Sequence, residues 1–108
     1  GPVGTERLPV VGRAAEAVGG RARLYRRITA TDRAADALRA ATRDRIAPMV
    51  GLTAASEPHA LVGVVAERTG RPTQEIGALL YGAAPANDTA LVKLADDLDS
   101  LSREVRRL

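Results

Sequence analysis

In the last eighteen residues of the chain, Leu91, Leu94, Leu98, Leu101, Val105 and Leu108 recur at alternating steps of three and four. Only an α-helix, at 3.6 residues per turn, gathers such positions into one stripe; a strand would send them to both faces. The spacing is that of the a and d positions of a coiled-coil seam, so something must cover it. Packing within the same chain, against a long helix expected over residues 21–47, is one way to do so, and a domain of 108 residues needs that burial. Self-association through the same face is the other. The surrounding composition agrees with helices: 21 Ala and 12 Leu stand against 10 Val and 3 Ile, and aromatic residues make up 2%. A β-sandwich would want the reverse balance.

The length bounds the chain at one core, and the punctuation divides it into helices. Residues 1–9 carry Gly1, Pro2, Gly4 and Pro9 with little periodicity and read as a flexible lead-in, Gly1-Pro2 having the look of a tag-removal scar. A single helical domain is expected over 10–108. Gly19-Gly20 either ends a short helix or weakens a long one. From Arg21 to Ala47 the apolar positions Leu24, Ile28, Ala35, Leu38 and Ile46 fall on one face, with arginines between them, and Pro48 should end that helix. Ser56 is placed to cap a helix beginning at Glu57-Pro58, Gly70 to end it, Gly82 to stop a helix begun near Thr73, and Asn87 or Asp88 to cap the last one. The expected fold is all-α, a small bundle of four or five helices with a helix-turn-helix-like pair and a long C-terminal helix.

The net charge of +3 is unevenly spread, since residues 1–47 hold ten Arg against five acids and residues 48–108 hold six basic residues against eight. The densest positive charge is Arg21-Ala22-Arg23-Leu24-Tyr25-Arg26-Arg27, four Arg in seven residues. Arg23, Arg26, Arg27, Arg33 and Arg39 are the candidate partner-binding residues, expected to be solvated between the apolar positions and able to steer an acidic surface or meet anionic headgroups. Tyr25 is expected to pack. A solvated helix face with no partner is the plainer account of the same pattern.

Chemistry finds little to work with. The absence of Cys removes disulfides, thiolate nucleophiles and Cys-rich zinc sites, and the lone His59 rules out a His-pair metal site. Asp96, Asp97 and Asp99 point in different directions round a helix, and Gly19-Gly20 lacks the spacing and Lys of a phosphate loop. No catalytic residue, cofactor or metal is expected. The stretch Ala66, Gly70, Ile76 and Leu79 has the small residue, turn glycine and buried aliphatics of a helix-turn-helix. Its second helix would offer Thr73, Gln74, Glu75, Gly77 and Ala78 to a groove, with no Lys or Arg, so nucleic-acid binding is not expected.

Gly20-Arg21-Ala22-Arg23-Leu24-Tyr25-Arg26-Arg27, Arg68-Thr69-Gly70-Arg71-Pro72, Leu79-Leu80-Tyr81-Gly82 leading to Pro85, and Leu91-Val92-Lys93-Leu94-Ala95-Asp96-Asp97-Leu98-Asp99 carry a resemblance. Together they resemble the C-terminal cytosolic region of actinobacterial membrane proteins of the domain of unknown function 4350 family. The resemblance implies a tail on the cytoplasmic face of the plasma membrane, attached through an anchor outside this chain, with the gene beside that of a MoxR-type AAA+ ATPase. It implies no catalytic residue. The expectation is a non-enzymatic protein-interaction domain docking that ATPase; the alternatives are an oligomerisation module using the leucine seam and a DNA-binding helix-turn-helix domain.

Overall fold

The computed structural model describes residues 2–108, with side chains from Gly19 onward. Helix α1 (Pro2–Ile46) is followed by a 3-10 turn (Ala47–Val50), then α2 (Pro58–Thr69), α3 (Thr73–Tyr81) and α4 (Asp88–Arg107). No strand occurs among the described residues, and the fold is an all-α small bundle. The chain divides into two compact units, residues 1–30 and residues 31–108.

In the first unit α1 continues through Gly19-Gly20, where a Cβ would meet nothing within 4 Å. No close approach demands glycine there, and each one costs the helix about 1 kcal/mol relative to alanine. The lead-in expected over 1–9 and the helix start expected near Val10 fall outside the residues whose side chains are described.

The second unit holds the core. Ala35, Ile46, Ala47, Leu61, Val65, Ala66, Ile76, Leu80, Leu94, Leu98, Leu101 and Val105 are buried together. Pro48 acts as expected, since its missing N–H ends α1 at Ile46 and the chain tightens into the 3-10 turn. Gly51 (φ 77°) then turns the chain left-handed. At α2 the expected cap is corrected. Ser56 Oγ accepts from Thr53 N at 3.1 Å, so its hydroxyl closes the preceding turn; Glu57 occupies the cap position without a side-chain bond and Pro58 opens the helix.

Gly70 ends α2 in the left-handed region (φ 74°), its N–H donating to Ala66 O at 2.9 Å. Three residues later α3 begins, and α2 and α3 pack as the helix-turn-helix-like pair, burying Ala66 against Ile76 and Leu80 in one cluster. Asn87 caps α4, its Oδ1 accepting from Ala90 N at 2.8 Å.

Helix α4 turns Leu94, Leu98, Leu101 and Val105 into this core, with Leu91 partly buried. Leu108, the last position of the stripe, is 62% exposed. The neighbours of α4 are chiefly α2 and α3, where the long first helix was expected. Two short helices joined by a tight turn present more apolar surface per residue than α1, whose buried positions include Thr31, Arg39 and Thr42. α1 also reaches α4 through a polar contact: Arg45 Nη1 donates to Ser102 Oγ at 3.2 Å, and Ser102 is a buried member of the α4 face that the leucine spacing does not announce.

Gly82 is required by space. Its N–H donates to Ala78 O at 3.1 Å, and a Cβ on Gly82 would lie 2.3 Å from that same oxygen. Gly82→Ala must therefore push back the last turn of α3, where overpacking typically costs about 2 kcal/mol. The midpoint of thermal unfolding should fall by roughly 10 °C; an unchanged midpoint would mean that the α3 terminus yields freely.

Candidate functional site

The basic segment that the sequence singles out lies on α1, and its described side chains in the first unit are those from Gly19 to Ala30. Arg21, Arg23, Arg26 and Arg27 are exposed, as is Arg33 in the second unit. Residues 17–31 contain no Asp or Glu.

Three apolar side chains expected to be covered are not. Leu24 is 56% exposed, Ile28 49% and Tyr25 72%. Leu24 and Ile28 continue the periodicity that buries Ala35 and Ile46, but periodicity marks a face without supplying the neighbour that covers it. On a helix, Leu24 and Ile28 are four residues apart and Tyr25 and Ile28 three, so the three side chains form one patch. This patch was missed by the sequence reading; its signal was the coincidence of large apolar residues with a run free of carboxylates.

Arg39 is the other correction. Expected to be solvated with the rest, it is 6% exposed. Its Nε donates to Leu79 O at 2.9 Å and its Nη2 to Ala78 O at 3.2 Å. One turn along α1, Arg43 Nη1 donates to Leu80 O at 2.6 Å, and the Arg43 guanidinium lies 4.7 Å from the centre of the Tyr81 ring. The last four carbonyls of a helix have no partner within it and carry the negative end of its dipole. Arg39 and Arg43 supply donors and positive charge to the C-terminus of α3 and thereby tie α1 to α3. Burial pushes the Arg39 guanidinium below its ordinary range; Asp36 partly offsets this, and Arg43 adds to it. Arg39 is thus a structural clasp, and the exposed candidates reduce to Arg23, Arg26, Arg27 and Arg33.

The two arginines near the α2–α3 turn are engaged internally. Arg71 pairs with Glu75 and, at 3.5 Å, with Glu104, while Arg68 Nη1 donates to Met49 O at 3.0 Å. A groove of about 430 Å³ is lined by Arg71, Glu75, Ala78, Leu79, Lys93 and Asp97, and its cations face carboxylates, Lys93 meeting Asp97 at 2.8 Å. His59 is exposed beside Glu57, at 3.3 Å, and among the described residues no group of His, Asp or Glu converges as a metal site.

The fold and this surface define a small all-α bundle joined to an exposed basic helix segment. The chain is 47% identical over 105 residues to Rv3691 of Mycobacterium tuberculosis strain H37Rv, described as an uncharacterised membrane protein. The alignment takes in 97% of this chain and spans 28% of that relative's length. The chain is therefore homologous to a portion of an actinobacterial membrane protein. No family model and no solved structure matches it. No helix among the described residues is long and apolar enough to cross a membrane.

Proposed function

We propose that this chain is a non-enzymatic interaction domain of a membrane protein of the domain of unknown function 4350 type, placed on the cytoplasmic face, that docks an acidic protein partner. The partner named by the family resemblance is the MoxR-type AAA+ ATPase. The observation that carries the reading is the exposed α1 segment, in which Arg21, Arg23, Arg26 and Arg27 are interspersed in sequence with uncovered Leu24, Tyr25 and Ile28 and residues 17–31 hold no carboxylate. Clustered arginine raises the encounter rate with an acidic surface more than it raises final affinity, and exposed apolar side chains mark where contact is made. The oligomerisation alternative is weakened because Leu94, Leu98, Leu101 and Val105 are already spent on the core of one chain. The DNA-binding alternative is weakened because Arg68 and Arg71 are held by their own chain.

The test is binding kinetics between this domain and the purified ATPase at about 50 and about 200 mM salt. Reversing Arg23, Arg26 and Arg27 to Glu should slow association about tenfold at the lower salt and leave the helical spectrum unchanged. Undetectable binding by the unmodified domain, with and without nucleotide, would remove this partner. Unchanged association after the triple reversal would remove the basic segment as the route.

A further inference from the structure

We infer that Gly19-Gly20 is a joint in α1, at which the helix bends and transiently opens while the turns on either side stay wound. Neither space nor backbone angle calls for glycine there. A Cβ at either position would meet nothing within 4 Å, and among the described residues positive φ is confined to Gly51 and Gly70. Alanine would fit both positions and favour the helix more, and glycine pairs are among the few places at which helices kink. Gly63 and Gly77 also stand clear of other atoms, but their helices are held from outside, by the buried Leu61 and Val65 on either side of Gly63 and by Ile76 and Leu80 near Gly77. Around Gly19-Gly20 no such hold exists. No residue from Gly19 to Ala30 is buried, and the first buried side chain of α1 among those described is Thr31. Opening the helix at the pair therefore exposes no core.

Side-chain staples are missing as well. Glu16, the nearest carboxylate upstream, has Gly19 and Gly20 at the positions three and four residues on, so no helical ion pair from it spans the joint. Both flanks are better helix formers, since Ala14-Ala15-Glu16-Ala17 precedes the pair and Arg21-Ala22-Arg23-Leu24 follows it. A helix propagates readily through such residues and stalls at glycine, which confines the weakness to the pair. The arginines lie downstream, on the part of α1 that runs unbroken to Ile46. The joint permits a change of direction just before the basic segment, in a chain homologous to one portion of a larger membrane protein.

Amide hydrogen exchange on the complete 108-residue chain tests this. The amides of residues 20–23 bond to carbonyls four residues back, across the pair, and should exchange faster than those of residues 15–18 upstream and 27–30 downstream. Gly19→Ala/Gly20→Ala should slow them about thirtyfold, a factor of about five for each glycine. Nitroxide labels at Ala15→Cys and Ala30→Cys, in a chain with no other cysteine, should report distances spread below the roughly 22 Å of a straight helix. The double alanine substitution should narrow them to that value. The thermal midpoint of the core should stay where it is, since no atom beyond the helix itself lies within 4 Å of a Cβ at either glycine. Equally slow exchange from residue 15 to residue 30, or one narrow distance near the straight-helix value in the unmodified chain, would overturn the joint. Exchange as fast over residues 15–18 as at the pair would replace it with a helix that frays from its start.

Discussion

Leu98→Asp is expected to unfold the second unit. Leu98 is 2% exposed and sits on α4 between Leu94 and Leu101, within the cluster that also holds Val65 and Ile76. An aspartate there loses the leucine's burial and places a carboxylate among aliphatic side chains with no cation to meet it, a combined cost of several kcal/mol. Domains of this size hold only about 5–15 kcal/mol in reserve. The helical signal should collapse at 25 °C, and sedimentation should report an expanded chain. Leu108→Asp is the control: at 62% exposure the same charge should change stability by less than about 0.5 kcal/mol. A folded helical monomer carrying Leu98→Asp would mean that the stripe faces a second copy and that the core does without it.

Arg39→Ala should cost about 3 kcal/mol, which is unusual for an arginine that sequence alone would place in solvent. Two contributions add. The aliphatic stem of a residue 6% exposed loses its packing, and the carbonyls of Ala78 and Leu79 lose the donors at 3.2 and 2.9 Å that neutralise the α3 terminus. Chemical denaturation in urea should show the midpoint falling by roughly 1.5 M with an unchanged slope. Arg39→Met separates the contributions, because it keeps most of the stem and removes both hydrogen bonds. It should recover less than half of the loss. If Arg39→Met were as stable as the unmodified chain, the stem would be the whole contribution and the clasp would be incidental. Arg39→Lys should fall between, since one ammonium cannot reproduce the fork that reaches two carbonyls at once.

Local chemistry decided most of the element boundaries, and each can be traced to a residue. Pro48 lacks the N–H that would extend α1, Gly70 adopts a left-handed conformation at the end of α2, Gly82 fits against Ala78 O, and Asn87 supplies the side-chain acceptor that begins α4. These effects act within four residues, so a sequence displays them in full. Ser56 is the exception that keeps the rule, because two local partners competed for its hydroxyl and the turn at Thr53 took it.

The sequence by itself determined the helical class, the stops and caps, and which faces are apolar, since periods of three and four and the chemistry of Pro, Gly and Asn are properties of neighbouring residues. Only the tertiary structure decided what those faces meet. Leu94, Leu98, Leu101 and Val105 found α2 and α3, whereas Leu24 and Ile28, on an equally regular spacing, are left uncovered. Arg39 and Arg23 read alike in the chain, yet a guanidinium becomes buried where the C-terminal carbonyls of another helix stand within its reach. Those carbonyls belong to residues 39 and 40 positions away, a distance across which no local pattern carries information.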